Sequence, residues 1–405
     1  MENIIYNSDQ LEIYLSEQPN TAPVFKAERS KDWVPFLTAD GKEQYPDYLL
    51  YLFNNSALNN SIIKSKIEQV KGNGWVWDSS SANSEAMEAF MSSVNEDNED
   101  ANEVLEKISN DLEVFGGFAL QITWTNDWTR IGSIKHLDFS KVRSAKVDDN
   151  GQIPGYYYSW DWTKQRSEKV FLPVFNQTTA KENKKAYEDA LLRGNNEKLQ
   201  EMFSSPTSQI FYYKPYRSGS FYYPLPSYVG CLNSVETDIA CDNYGLSALK
   251  NGFNVSSIIT VGGINTEEAK VDFAKKLYRA HTGAAKANLP MIIYKRGDDN
   301  PIEVTTLQNK AEDKIYTGVN ENTTQNILVG HRVTTPLLVG IKTEGQLGAS
   351  EETKNMIDFW KRTVIRPEQN VITRAWNKFM KINEFPEVEI AEFQFLSSLE
   401  EDTTI

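Results

Sequence analysis

Histidine and cysteine are nearly missing from this 405-residue chain, which holds three histidines, His136, His281 and His331, and two cysteines, Cys231 and Cys241. No His-Glu-x-x-His or similar ligand spacing occurs, so neither a metal site nor a catalytic triad has sequence support. The cysteines match neither a paired zinc motif nor a disulfide framework and read as small apolar side chains on a helix. No apolar run approaches 18 residues, and the start Met1-Glu2-Asn3-Ile4-Ile5-Tyr6 has neither the basic nor the apolar part of a signal peptide. The expectation is a protein made in the cytoplasm, with no membrane partner. Positive charge is also scarce: 42 basic residues against 56 acidic ones give a net charge of -14, which argues against a surface that grips nucleic acid by neutralising phosphates. Gly262-Gly263 belongs to neither Gly-x-Gly-x-x-Gly nor a Gly-Lys-Ser/Thr loop, so no nucleotide cofactor is expected. These absences together point to a non-enzymatic protein with no catalytic, cofactor or metal residues.

What is present is a mixed pattern of helices and strands, an α+β chain long enough for two or three structural units. Residues 1–45 carry scattered aromatics and prolines and read as an arm that packs on something else. From Pro46 an apolar cluster (Leu49, Leu50, Leu52, Phe53) leads through Ser56, a good N-cap, to a helical set at Leu58, Ile62, Ile63, Ile67 and Val70 that Gly72 and Gly74 stop. An acidic linker, Asn95 to Asp100, precedes a helix with Val104, Leu105, Ile108 and Leu112 on one face, ended by Gly116-Gly117. Alternating strands follow: Phe118 to Trp124, Val142 to Val147, and Tyr156 to Trp162 after the turn at Asp148 to Gly151. Residues 180–203, rich in Lys and Glu, suggest a helical hairpin inserted between strands. Tyr156, Tyr157, Tyr158, Trp160, Trp162, Tyr212, Tyr213, Tyr216, Tyr222 and Tyr223 allow two readings, a platform that stacks sugars or bases, or the cross-strand packing usual for half-buried strands.

From Ser227 the chain turns helical with a heptad rhythm, Tyr228, Leu232, Val235, Ile239, Asp242, Leu246, Leu249 and Phe253. The seam suits packing against copies of itself or burial within the chain. Asp238 and Asp242 share a face of this helix. They could hold a cation, although solvated carboxylates are the more ordinary use of that spacing. A β-α-β pattern follows, with strands at 255–261 and 290–294 and a helix at 266–280, and a helix from about 309 to 329 then delivers the chain to His331. After Val333-Thr334-Thr335-Pro336-Leu337-Leu338-Val339-Gly340 comes a glycine-punctuated loop, and Ser350 caps a long helix whose first turn carries Glu351 and Glu352. Met356, Trp360 and Val364, then Ile372, Trp376 and Met380, stack at four-residue spacing on either side of Pro367, which predicts a kink. Thirty-odd such residues make a rod of about 45 Å at 1.5 Å per residue. A buried helix after an ordinary loop is the plainer reading of the same residues.

This order of short polar helix, Arg332-Val333-Thr334-Thr335-Pro336-Leu337-Leu338-Val339-Gly340, glycine loop and capped long helix with Arg366-Pro367 inside it resembles the portal proteins of tailed bacteriophages. The phrase from Tyr48 to Trp75 is similar to their opening helical module. The resemblance spans 46–380 in organisation, with its specific motifs confined to 46–75 and 224–380, and departs from the larger members where the chain ends in an acidic tail in place of an extended crown. It implies a wing (46–226), a first stem helix (227–254), a clip (255–308), a second stem helix (309–331), a tunnel-loop region (332–349), a long kinked helix (350–381) and a short tail (382–405). It also implies a ring at one vertex of a capsid, with twelve subunits expected, assembled in the host cytoplasm and retained in the virion. The partners so implied are the major capsid protein, the large terminase subunit, a head-tail adaptor, and double-stranded DNA moving through the channel without sequence specificity. Lys342, Thr343, Glu344, Gly345 and Gln346 would then be tunnel-loop residues. Glu236, Asp238 and Asp242 are candidates for an acidic channel lining along which DNA slides, and Leu232, Ile239, Leu246, Met356, Trp360 and Trp376 are candidates for the subunit interface. The competing classes are another virion adaptor or structural protein and an aromatic-rich glycan-binding protein.

Overall fold

The computed structural model describes residues 3–8, 11–15, 31–38, 41–164, 166–195, 197, 207–251, 257–261, 291–294, 303–306, 312–340 and 351–393. They fall into two units, one made of 1–233 with 328–405 and the other of 234–327.

In chain order the strands are β1 Asn3–Ser8, β2 Leu11–Leu15, β3 Trp75–Trp77, β4 Phe118–Trp124, β5 Ile131–Leu137, β6 Val142–Ser144, β7 Gly155–Tyr158, β8 Val170–Pro173, β9 Ser208–Tyr213, β10 Ser257–Val261, β11 Met291–Tyr294, β12 Glu303–Thr306 and β13 Val388–Ile390. The helices are α1 Tyr45–Asn55, α2 Ala57–Lys71, α3 Ser84–Ser92, α4 Ala101–Phe115, α5 Gln177–Leu192, α6 Leu232–Asn251, α7 Glu312–Gly330, α8 Glu351–Trp360 and α9 Arg366–Ile382. The chain is an α+β protein with open sheets.

The first unit is built from locally determined pieces. Ser56 caps α2 by accepting from the Asn59 N–H at 3.1 Å. Asp100 and Glu103 close a reciprocal capping box at the start of α4, and Gly116, at φ +81°, ends that helix in the left-handed region. A Cβ on Gly116 would meet the Leu225 carbonyl oxygen at 2.3 Å, so the close approach as well as the torsion requires glycine. The chain leaves this turn directly into β4, the centre of an antiparallel sheet ordered β5-β4-β9. A second antiparallel sheet, β6-β7-β8, lies further along the chain, and the short strands β3 and β13 pair antiparallel with Val388 opposite Trp77.

These parts share one core, in which Val70, Ile108, Phe118 and Ile122 meet Trp360, Ile372, Phe379 and Met380. Trp75 and Trp376 stack at 5.1 Å in it, each such burial being worth about 1.5–3 kcal/mol. Of the aromatics on and beside these strands, Tyr156 and Tyr223 are buried, Tyr157, Tyr158, Trp162, Tyr212, Tyr213 and Tyr222 are half-buried, with Tyr156 and Tyr212 stacked at 4.0 Å, and Trp160 and Tyr216 are exposed. Half-buried, mutually stacked rings are what cross-strand packing uses. At the amino-terminal side, Trp33 bridges to Ala145 and Phe36 stacks on Tyr223 at 4.1 Å, so residues 31–38 strap onto this unit.

Three expectations are met in part or in another form. In the inserted segment the first helix is α5, and the expected second arm falls on 196–206, of which only residue 197, helical, is described. The kink expected from Pro367 takes the form of a π turn, Lys361–Ile365, placed between α8 and α9 just ahead of the proline. In the second unit the described sheet has three strands, ordered β11-β10-β12. β10 runs parallel to β11, with Ile258 opposite Met291, and antiparallel to β12, with Ile259 opposite Val304. The helix expected at 266–280 lies outside the described residues.

Candidate functional site

The glycine loop itself, with Lys342, Thr343, Glu344, Gly345 and Gln346, lies outside the described residues, so the site is built from the two segments that hold its ends. On the entering side, α7 finishes at Gly330, where a Cβ would stand 2.3 Å from the Cys231 Sγ. His331 and Arg332 then turn the chain, Arg332 taking φ +58°, a left-handed torsion that costs a side-chain-bearing residue about 1–2 kcal/mol. A 3₁₀ turn, Pro336–Val339, ends at Gly340 with φ +77°. On the leaving side stands α8, of which only Thr353 and Trp360 are buried among the residues whose exposure is described.

Three hydrogen bonds tie these segments together and to α2. The Ser61 hydroxyl reaches the Val339 carbonyl at 3.4 Å, the Thr334 hydroxyl donates to the Met356 carbonyl at 3.0 Å, and the Arg332 Nη2 donates to the Thr363 carbonyl at 3.3 Å. The last acceptor sits four residues before Pro367, which has no N–H to give it.

Beneath the turn lies a buried polar junction. His331 stacks on Tyr228 with ring centroids 4.5 Å apart, and its Nε2 is 2.8 Å from the Asn59 Oδ1. Burial, aided by the nearby Lys66 charge, pulls His331 down from 6.5 to about 3, so the ring is neutral at pH 7. Lys66, 1% exposed, pairs with Glu113 on α4 and, at 3.2 Å, with Glu368 in the first turn of α9. Burial works against its charge, but the two carboxylates outweigh that and hold the ammonium above the ordinary lysine value. Glu113 moves well above the ordinary carboxylate value because it is buried and because Glu368 repels a second negative charge. The next residue, Gln369, donates to the Gln69 and Val70 carbonyls at 3.1 and 3.3 Å, capping α2. α9 is thus welded to α2 at its first turn, while α8, across the π turn, is largely open to solvent.

The other sequence-selected residues scatter. Glu236 and Asp238 are half-buried and Asp242 is exposed, all on α6. Of the interface candidates, Leu232, Ile239, Trp360 and Trp376 are buried within the chain, the two tryptophans in the core of the first unit, and so offer little surface to a neighbour. Leu246 is 50% exposed and Met356 37%. The heptad seam on α6 is therefore buried up to Ile239 and open from Asp242 to Leu246. Sequence reading missed the Lys66–Glu113–Glu368 junction, and Phe359, which its spacing puts in the apolar stripe of the long helix, is exposed beside Met356. Among the described residues no group of three or more His, Cys, Asp or Glu side chains could hold a metal, and no helix is long and apolar enough to cross a membrane.

The fold these elements make recurs in chains of gene transfer agent particles, in keeping with the portal resemblance carried by the sequence. It is similar to a chain in the virion of a native gene transfer agent particle (TM-score 0.55, 12% identity, covering 88% of this chain and 87% of that one). It is likewise similar to a chain in the neck of the empty particle computed with C6 symmetry (TM-score 0.56, 13% identity, 88% and 86%) and to one in the neck of the native particle computed with C12 symmetry (TM-score 0.50, 13% identity, 88% and 87%). At such identities the likeness is one of fold. No protein-family model and no curated protein matches the sequence.

Proposed function

We propose that this chain is the portal subunit of a tailed-phage-like particle, a homo-oligomeric ring at one capsid vertex through which double-stranded DNA is packaged and released. The observation that carries the reading is fold likeness over 88% of the chain to components of a particle neck, joined to the sequence order of helix, small sheet, returning helix, glycine loop and long helix. In this reading 339–349 is the tunnel loop, and Arg332, Thr334 and Ser61 hold its base. Residues 255–308 are the clip, to which a large terminase subunit and later a head-tail adaptor dock, and the wing faces the major capsid protein. Glu236, Asp238 and Asp242 supply negative charge that keeps DNA from sticking, as expected of a chain with net charge -14. The ring closes through surfaces that include Leu246 and Met356, with twelve copies expected.

Negative-stain images of the purified protein test this directly. Closed rings with a DNA-sized hole are the expected result, and native mass spectra showing monomer alone under all assembly conditions would overturn it. A second reading, another neck or adaptor component, draws on the same fold likeness, since the similar chains are described by particle and position alone; it predicts assemblies without such a hole.

A further inference from the structure

We propose that the basic outer face of α9 receives the acidic face of α3 from a second copy of this chain, subunit to subunit around the ring. The inference rests on the ring reading above, in which cyclic closure joins unlike faces of neighbouring copies.

The exposed residues of α9 are Arg366, Pro367, Asn370, Arg374, Lys378 and Lys381, four of them basic and none acidic. At 3.6 residues per turn all six fall within a sector of about 120°, and the cations run about 22 Å along the axis. Arg366 is paired, with Glu392 at 2.8 Å. Lys378 stands over the Phe211 ring at 5.6 Å, and neither it nor Arg374 nor Lys381 pairs with a carboxylate among the described residues. Glu368, the one acid on α9, is paired with Lys66 at 3.2 Å. Three unpaired cations in a row are a local excess of positive charge on a chain whose net charge is -14.

The complementary surface lies in the same unit. Residues 72–106 hold nine acidic residues and no lysine or arginine. Most of these acids are engaged, Glu96 and Asp97 with Lys135, Glu99 with Lys107, Glu106 with Lys71, and Asp100 and Glu103 in the capping box. Glu85 and Glu88 on α3 are exposed and pair with no cation among the described residues. The small, exposed Ala89 and Ser92 share their face, so that long basic side chains can reach both carboxylates.

Within one copy these two faces do not meet. The Asn83 Nδ2 donates to the Glu384 carbonyl at 3.0 Å, which sets the start of α3 beside the turn after α9, and still Glu85 and Glu88 reach none of the cations. Their complementarity is open to another copy. Exposed ion pairs are each worth little, so the contact selects the partner and the order in which faces meet, like faces being repelled.

The test is sedimentation velocity of the full-length protein carrying either Arg374→Glu with Lys381→Glu or Glu85→Lys with Glu88→Lys. The first variant is more acidic than the wild type and the second less, but both should raise the concentration at which rings come apart by about tenfold. An equimolar mixture of the two should restore rings, because unlike faces then meet between copies that alternate around a ring of twelve. A contact within one chain would not be mended by mixing. Circular dichroism identifies a variant that has lost its fold, and the other then still reads the contact. Unchanged ring stability in either folded variant, opposite shifts that follow net charge, or a mixture that stays dissociated would overturn the proposal and leave the ring in place. A wild type that forms no ring would overturn both.

Discussion

The Arg332 guanidinium donates to the Thr363 carbonyl at 3.3 Å, the oxygen whose α-helical donor is removed by Pro367. One side chain from the entering end of the loop thus repairs the backbone of the helix that leaves it, and does so from a residue in a left-handed torsion, φ +58°.

That pairing of bond and strain separates two substitutions. Arg332→Ala loses the bond and keeps the strain, whereas Arg332→Gly loses the bond and relieves it. We expect the alanine variant to be less stable than the glycine variant by about 1 kcal/mol, read from urea midpoints at equal m-values. The reverse order would show that the torsion costs nothing in this context.

The charge on Lys66 is irreplaceable where it stands. Lys66→Met leaves Glu113 and Glu368 facing each other without a cation and should cost about 3–5 kcal/mol. Glu113→Gln should cost less, and its deficit should shrink as pH rises above the ordinary carboxylate value of 4.5. The sign follows from the raised value of Glu113 in the fold: over that range the native state holds more protons than the unfolded one, so its contribution fades with increasing pH. Urea titrations of both proteins across pH 4.5–8 check this, and a deficit that grows with pH would contradict it.

His331 acts in the opposite sense. Its folded value of about 3 lies below the 6.5 of the free ring, so its contribution is full above pH 6.5 and is lost as pH falls toward 3. His331→Phe, which keeps a ring against Tyr228, should lose stability at neutral pH through the missing Asn59 bond. It should recover roughly 3 kcal/mol relative to the wild type between pH 6.5 and 4. Parallel stability curves for the two proteins would remove His331 from the account.

Much of the wing was readable because its signals are local. Ser56 and Gly116 act within four residues of themselves, and alternation from Phe118 to Trp124 needs no partner to be seen. The junction was not readable, since Lys66 finds Glu113 at a sequence separation of 47 and Glu368 at 302. The stripe through Trp360 and Trp376 was visible, but periodicity says that a face is buried and not by what; the face belongs to the chain's own core. Pro367 announced an interruption without fixing its form, because a π turn depends on what neighbouring elements hold in place.

Those placements divide the interface candidates experimentally. Trp376→Ala should cost about 3–5 kcal/mol of chain stability, detectable in any oligomeric state. Met356→Asp and Leu246→Asp, at exposed positions, should change chain stability by less than about 0.5 kcal/mol while shifting the ring toward smaller species in sedimentation velocity. Unchanged sedimentation would clear both residues of an interface role.

If 339–349 is the tunnel loop, Gly345→Pro removes a donor and fixes a torsion that glycine leaves open. Rings should still assemble, and packaging or retention of DNA should fall. Packaged length measured in procapsids carrying the mutant ring decides, and normal filling and retention would mark the loop as a passive connection.

The π turn also sets the phase of the helix on either side of it. Trp360 and Trp376 are sixteen positions apart, which in an unbroken α-helix would put them about 160° from each other, one inward and one to solvent. Because the turn absorbs one residue, they stand about as they would fifteen positions apart, some 60° from each other, and both reach one core. A one-residue deletion inside 361–365 should therefore be tolerated, giving a regular helix with the same faces inward. The same deletion a few residues later, within α9, would rotate one half of the rod against the other. The helix can thus lose a residue at the π turn without carrying either tryptophan out of the core.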